Sequence, residues 1–311
     1  MTNTKGNATP QNTLIIKVGD NSFLHKGVRK EGYKIITPYI EWGVTGRLLR
    51  EVCFRLPFMP KRIWYNHDII RMSPEFILLY DVLVTRDFCE WLHEKLPNAQ
   101  LNFVYGNLIG KAKHITPDKV PEYFRKWTYD EGDCKNYCMK MTPSMYFPSY
   151  VISKKTTRYD VLFIGKDKGR GDYLIELERK LQALGLKTKF IIVKDGVLSK
   201  KKSYYQKPVN YDELICLLSE SRSFLNVILP GQSGVTMRDM ETLFFKVKLL
   251  TTNSKIAEVD FFRKENIFII NNENIESIPD FLSLPMSEVP EEILYKHTFV
   301  SYVEKITRAI Y

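Results

Sequence analysis

Short apolar runs of strand length alternate with helix-like stretches along almost the whole chain, and this rhythm limits the fold more than any single motif does. In the first half, strands are predicted at Leu14–Val18, Tyr33–Thr37, Arg62–Tyr65, Asp81–Thr85 and Leu101–Tyr105. Apolar residues at three- and four-residue spacing predict helices over Val44–Phe54 and Asp87–Leu96, the second closed by Pro97 and Asn98. From Lys111 to Thr157 the rhythm loosens, and Ser153–Arg158 carries no apolar residue. A domain boundary is expected there. The division is then 1–152, 153–290, and a C-terminal helix in 291–311 packing back toward the N-terminal domain.

A fresh series begins at Tyr159. Strand Asp160–Ile164 leads through the loop Gly165–Gly171 into helix Tyr173–Leu184, which Gly185 stops. Strand Thr188–Val193, helix Tyr211–Ser219 and strand Phe224–Leu229 follow. Loop Pro230–Gly234, helix Thr236–Phe245 and strand Lys248–Thr252 come next. A short helix near Ile256–Phe262, strand Asn266–Ile270 and one amphipathic helix Pro290–Ile310 complete the series. The expected class is α/β with two Rossmann-like halves facing a central cleft, and such sheets bind ligands beyond the carboxyl ends of their strands.

Composition narrows the function. A chain of 311 residues, 44% hydrophobic and 26% charged, has the size and make-up of two globular domains. No uncharged apolar run approaches the roughly 18–20 residues that span a bilayer. The polar start Met1–Gln11 has no signal-like apolar stretch, so a cytoplasmic location is expected. Cys53, Cys89, Cys134, Cys138 and Cys216 are odd in number and scattered, which argues against a disulfide framework. Cys134 and Cys138 lack the second ligand pair of a zinc site, and His25, His93, His114 and His297 show no ligand spacing. No metal and no cofactor are expected.

The net charge of +10 implies an anionic partner. Lys200-Lys201-Lys202 beside Tyr204 and Tyr205 reads as a solvated loop or as a contact with lipid headgroups. Lys and Arg are spread along the chain without a nucleic-acid motif, so nucleic acid is not the expected partner.

The strongest constellation lies after strand Phe224–Leu229. Gly231-Gln232-Ser233-Gly234 opens a helix near Thr236, where free amides and the helix dipole favour an anion. Arg238 and Glu241 stand three apart on one helix face. Arg238 suits a phosphate, and the Glu241 carboxylate suits a ribose diol because it only accepts hydrogen bonds. The alternative is an ordinary glycine-rich turn with a surface ion pair. A second loop, Gly165–Gly171, sets Lys166, Lys168 and Arg170 before a helix start, a placement that makes more sense with an intervening anion, a solvated basic loop being the alternative. It matches neither the Walker A order nor the dinucleotide fingerprint. In the first half, Asp20, Glu41, His67 and Asp68 follow strand ends and are candidate bases for activating a hydroxyl, with capping roles as the alternative. The absence of a G-x-S-x-G elbow removes the α/β-hydrolase reading, and no D-x-D pair marks a metal-dependent single-domain sugar transferase.

Gly231–Leu243 followed by Lys248–Asn253, together with Tyr129–Tyr137, Met139–Pro143, Tyr146 and Asn102–Asn107, resembles lipopolysaccharide-biosynthesis glycosyltransferases of the GT-B type, closest to core rhamnosyltransferases of enteric bacteria. The resemblance covers most of the chain and thins before residue 30. It implies a nucleotide-sugar donor, a lipopolysaccharide core acceptor, a site on the inner face of the inner membrane at an anionic membrane surface, and hexosyl transfer without a metal. It also implies that Gly231–Gly234 and Thr236 hold the donor diphosphate, that Glu241 binds the donor ribose, and that Lys166 and Arg170 lie near phosphate. The family's doubled-glycine loop and helix Glu-Ala pair are here Gly-Gln-Ser-Gly and Glu-Thr. That departure weakens the phosphate contacts more than the fold. Rival readings are a nucleotide-sugar epimerase of similar fold and a basic nucleic-acid-binding protein.

Overall fold

The apolar runs become two parallel sheets, each the core of its own unit. The computed structural model describes residues 6–19, 22–56, 58–110, 115–196, 202–229 and 234–308. The first unit comprises Met1–Pro143 with Phe299–Tyr311, and the second Ser144–Thr298. The chain therefore passes into the second unit upstream of the apolar-free stretch at Ser153.

In the first unit β1 (Thr13–Ile16), α1 (Phe23–Lys30), β2 (Lys34–Ile36), α2 (Gly43–Arg55), α3 (Asp68–Arg71) and β3 (Phe76–Tyr80) come first. Next are α4 (Arg86–Lys95), β4 (Gln100–Tyr105), β5 (Arg125–Thr128), α5 (Glu131–Tyr137) and β6 (Lys140–Met141). The six strands are all parallel, in the order β2-β1-β3-β4-β5-β6. Every residue of β1 and β3 is buried, as expected of parallel strands covered on both faces. Leu14, Ile77, Leu79, Phe88, Trp91 and Phe103 are central to the core.

Two expected strands are corrected here. Asp81–Thr85 is a turn that follows the strand Phe76-Ile-Leu-Leu-Tyr80, whose unbroken apolar run lacks the alternation of a half-exposed strand. Arg62–Tyr65 lies mostly in a 3-10 turn, Lys61–Trp64, entered from Pro60; only Tyr65 forms an antiparallel bridge, to Tyr39.

The second unit carries β7 (Tyr159–Lys166), α6 (Gly171–Ala183), β8 (Thr188–Val193), α7 (Tyr211–Ser219), β9 (Ser221–Asn226) and α8 (Met237–Phe245). It continues with β10 (Lys248–Thr251), β11 (Ile267–Ile269), α9 (Ile278–Ser283) and α10 (Glu291–Lys296). Its five parallel strands run β11-β10-β9-β7-β8. Counted within each unit, the topology repeats. The second strand flanks the first on one side, and the third flanks it on the other. The order reverses between β1 and β3, and again between β7 and β9. Ligands of doubly wound sheets bind at such points.

Strand β9 starts and ends three residues before the predicted run. Ser221 and Ser223 are buried in it because their hydroxyls donate to the carbonyls of Leu217 (2.7 Å) and Asp160 (2.6 Å), which hid the strand's polar beginning. The helix expected at Ile256–Phe262 is a 3-10 turn, Ser254–Glu258. The single helix expected over Pro290–Ile310 is two. After α10 the chain turns at His297 and Thr298, and α11 (Phe299–Arg308) belongs to the first unit, burying Phe299, Tyr302, Val303 and Ile306 there. No helix among the described residues is long and apolar enough to cross a membrane.

Candidate functional site

The second unit's switch point is framed by the loop after β7 and the start of α8. Asp167, at the end of β7, organises the first. Its buried carboxylate accepts from the Gly171 amide (2.7 Å) and from the hydroxyls of Tyr205 (2.6 Å) and Tyr204 (3.0 Å). Burial opposes its charge, but the bonds from Tyr205, Gly171 and Tyr204 outweigh it and hold the carboxyl below its usual range. Asp195 fixes the next residue by accepting from the Lys168 amide (2.8 Å). The loop is thereby held rigid, and Arg170 is aimed back over the sheet, stacked at 5.5 Å on Phe163 and donating to the Val227 carbonyl.

Helix α8 begins with a reciprocal capping box between Thr236 and Asp239, in which the Thr236 amide donates to Asp239 Oδ2 (2.7 Å). Asn226, the last residue of β9, donates through Nδ2 to Asp239 Oδ1 (2.7 Å) and Thr236 Oγ1 (3.0 Å), tying strand end to helix start. Arg238 then points across the ends of β7 and β9. Its guanidinium lies over Phe163 (5.2 Å) and Phe224 (4.9 Å) and donates to Asn226 Oδ1 (3.3 Å) and the Ile164 carbonyl. Gly165 leaves room here: a Cβ there would lie 3.0 Å from Arg238 Nη2, which would have to shift slightly, and in ordinary contact with Arg170 Nη2 at 3.5 Å.

Two guanidinium groups thus share one rim. Burial pushes Arg238 down to about 10; Glu241 works against the shift, and Arg170 adds to it. Burial also lowers Arg170, whose Nε is buried without a partner among the described residues. Glu241, only 4% exposed, is pushed up to about 7 by burial, against the pull of Arg238 and a hydrogen bond from Tyr211 (3.0 Å). These groups line a cavity of about 290 Å³. Lys168, Arg170, Arg238, Asn226, Thr236 and Glu241 supply its polar wall, and Leu214, Phe224, Val227, Leu229 and Met237 its apolar one. Cations, a carboxyl and an apolar wall in one small space suit a ligand that is part anion, part polyol and part planar apolar group.

Arg170, Thr236, Arg238 and Glu241 therefore meet in one place. Lys166 does not line this cavity; its Nζ donates to the Asp195 carbonyl (3.2 Å). Gly231, Gln232 and Ser233 lie outside the described residues, while Gly234 is described and exposed. Of the basic run beside Tyr204 and Tyr205, Lys200 and Lys201 lie outside the described residues. Lys202 pairs with Asp172 (3.0 Å), and both tyrosine hydroxyls turn inward to Asp167. Asp20 is outside the described residues as well. Glu41 pairs with Arg47 (3.6 Å). His67 is exposed, with its ring edge-on to Trp91 (5.5 Å), and Asp68 pairs with Arg71 (2.8 Å). The antiparallel bridge between Tyr39 and Tyr65 sends Glu41 and His67 away in opposite directions, so they do not form one cluster.

Sequence reasoning missed Asp167, Asn226 and Tyr211. Asp167 sits inside a loop weighed only for its cations, Asn226 inside a predicted strand, and Tyr211 at a helix start. The signal for Asp167 was available: an acid at the end of a strand before Gly171. Among the described residues no group of three or more His, Cys, Asp or Glu is placed to hold a metal ion.

No family model matches this sequence, and no curated protein does. Among solved structures the chain is similar to a sucrose-phosphate synthase of Thermosynechococcus elongatus, at 9% identity over 95% of this chain and 92% of that one, with a TM-score of 0.49. It is similar to the catalytic domain of starch synthase IV of Arabidopsis thaliana bound to ADP and acarbose, at 10% identity over 81% and 76%, with a TM-score of 0.39. A structure named as a UDP-N-acetylglucosamine 2-epimerase from Listeria monocytogenes aligns at 9% identity over 96% and 91%, with a TM-score of 0.45. The strand orders themselves define the class: one chain built of two doubly wound, Rossmann-like α/β units, the composition expected of a GT-B architecture.

Proposed function

We propose that the protein is a GT-B glycosyltransferase whose second unit binds a nucleotide sugar in the cavity at the switch point between β7 and β9. The observation that carries this reading is the convergence of Arg170, Arg238 and Glu241 on one cavity there. Arg170 and Arg238 face the diphosphate, Glu241 accepts from the ribose, and the base rests against Leu214 and Met237. During transfer the bond from the anomeric carbon to the diphosphate oxygen breaks, and the acceptor hydroxyl oxygen takes its place. The two guanidinium groups stabilise the departing diphosphate in a partly buried setting, where charge is worth more than in water. Metal-independent catalysis without a cofactor is part of the proposal. A base in the first unit, with Glu41, His67 and Asp20 as candidates, receives the hydroxyl proton.

The finer reading is hexosyl transfer, rhamnose from a dTDP donor whose deoxyribose offers Glu241 its single 3′-hydroxyl rather than a diol, to a hydroxyl of a lipopolysaccharide core at the inner face of the inner membrane. Support for an anionic membrane surface as second partner comes from the first unit. Trp42, Val44, Leu48, Leu49, Val52, Phe58 and Ile63 are all at least half exposed. They share their stretch with Arg47, Arg55 and Arg62.

A thermal-shift panel of nucleotides and nucleotide sugars tests the donor site on wild type and Glu241→Ala. A ligand at a hundred times its dissociation constant stabilises by roughly 2.7 kcal/mol. Stabilisation by one nucleotide family, lost in the variant, is the expected result, and no shift with any nucleotide sinks the assignment. An epimerase would instead consume the nucleotide sugar without an acceptor.

A further inference from the structure

Glu241 is not an isolated carboxyl on the cavity wall. Its Oε1 accepts from the Tyr211 hydroxyl at 3.0 Å, and the Tyr211 hydroxyl lies 2.6 Å from that of Tyr146. A phenol has one proton to give. With Tyr211 donating to the carboxylate, Tyr146 must donate to Tyr211, so the polarity of the chain is fixed from Tyr146 to Glu241. The three groups come from three places: the segment after the unit boundary, the first residue of α7, and the middle of α8.

Packing holds both phenols. The fully buried Tyr146 ring lies 5.3 Å from Phe244 and 6.3 Å from Phe245, and the Tyr146 amide donates to the His297 carbonyl at 2.7 Å. The Tyr211 ring meets Tyr150 edge-on at 5.1 Å. Hydroxyls carried on rings held this way cannot follow the carboxyl if it turns. The carboxyl must come to them, which leaves Oε2 without a protein partner among the described residues on a side chain that lines the cavity.

We propose that Tyr211, oriented by Tyr146, is a positioning residue that holds the Glu241 carboxylate in the one rotation that presents Oε2 to the hydroxyls of a bound nucleoside. This rests on the reading of the cavity as the nucleotide site. Tyr211 does not touch the ligand in this role; it acts through Glu241. A hydrogen bond donated to the ionised carboxylate also favours that form over the protonated one. Other charged groups stand near Glu241: Arg238 and Asp239 from its own helix act on its ionisation, and Arg170 and Lys168 from the loop after β7 line the same cavity. Arg238 favours the ionised form and Asp239 opposes it. Burial leaves the balance near neutrality, so small changes in the tyrosine chain are legible in a titration.

The direction of the effect follows. The folded protein holds the Glu241 proton to higher pH than a free carboxyl does, so a ligand that needs the carboxylate binds more tightly as pH rises through about 7. Removing the Tyr211 hydroxyl withdraws support from the ionised form and moves that rise to higher pH.

The experiment uses the full chain as wild type, Tyr211→Phe, Tyr146→Phe and Glu241→Gln. The Glu241 carboxyl carbon is first titrated by NMR in the free protein. The affinities of UDP-glucose, GDP-mannose and dTDP-glucose are then measured from pH 5.5 to 8.5; as phosphodiesters these probes do not change charge in that range. The expected result for Tyr211→Phe is a Glu241 midpoint raised by about one pH unit, with the pH at which affinity is half developed rising in step. Tyr146→Phe gives a smaller shift of the same sign, and Glu241→Gln gives an affinity that no longer varies with pH. An unchanged Glu241 midpoint in Tyr211→Phe, or an affinity loss by the same factor at every pH, overturns the proposal and leaves Tyr211 a packing residue. If none of the three probes binds wild type, the nucleotide reading fails, and the carboxyl titration still judges the tyrosine chain.

Discussion

At the scale of single residues, the loop after β7 is held by a carboxylate rather than by its cations. Asp167 gathers the Gly171 amide and two tyrosine hydroxyls, and Gly171 is where it has no room to spare. A Cβ on Gly171 would fall 2.5 Å from Asp167 Oδ2 and 2.8 Å from its Cγ. Those atoms cannot retreat without giving up the bonds from Gly171, Tyr204 and Tyr205. Gly171→Ala is therefore expected to destabilise the protein by about 1–3 kcal/mol, the range for unmaking buried hydrogen bonds to a charged group. Urea unfolding measures it. A change within about 0.5 kcal/mol would show that Asp167 does not hold the loop.

At the scale of elements, helix α8 and its cap bring Thr236, Met237, Arg238 and Glu241 to the site, and its start is where sequence and structure agree best. Arg238 with Glu241 at three-residue spacing belongs on one face, and that was legible in one dimension; the cap that Asp239 forms with Thr236 was not read from the sequence and comes from the structure. Thr236→Ala removes the cap and the acceptor of Asn226 Nδ2 together. A loss of about 1 kcal/mol is expected, with Thr236→Ser nearly neutral. Equal losses in both variants, followed by chemical denaturation, would refute a capping role. Other elements were opaque for identifiable reasons. Strand β3 is an unbroken apolar run, so alternation does not reveal it. Strand β9 starts with serines whose hydroxyls are satisfied by carbonyls, one in the preceding helix at Leu217 and one far along the chain at Asp160, which polarity alone does not announce. The last helix divides because α10 lies in one unit and α11 in the other, and no local propensity at His297 or Thr298 announces that. Asn226 on the cavity wall, Asp167 bracing the loop that carries Arg170, and Tyr211 bonded to Glu241 come together through the packing of strands and helices, which spacing along a chain does not encode.

At the scale of the whole molecule, the excess of positive charge and the exposed apolar residues coincide. Over Glu41–Ile63 there are five basic residues (Arg47, Arg50, Arg55, Lys61 and Arg62) and two acidic ones, Glu41 and Glu51; Arg50 is buried against Tyr39, and Lys61 and Arg62 pair with Asp87 and Glu94, so the cations open to a partner are chiefly Arg47 and Arg55. Arg47 and Arg55 are paired with those acids at 3.6 and 3.9 Å. Pairs this exposed and this long hold little energy, so both arginines remain available to another anion. Leu48 and Leu49 are 61% and 60% exposed, and Phe58 is 79% exposed, which places apolar side chains where only a partner can cover them. An anionic lipid surface answers both features, since headgroups take the cations while the acyl boundary takes the leucines. Flotation with phosphatidylglycerol-containing vesicles is then expected to exceed that with phosphatidylcholine alone and to weaken with salt. The double substitution Leu48→Ser with Leu49→Ser is expected to lower vesicle affinity by about tenfold or more, while leaving thermal stability close to wild type because both side chains are already in water. Equal flotation with neutral vesicles would assign the apolar face to a lipid contact without charge selection. Flotation with neither would assign the exposed leucines to a protein partner instead.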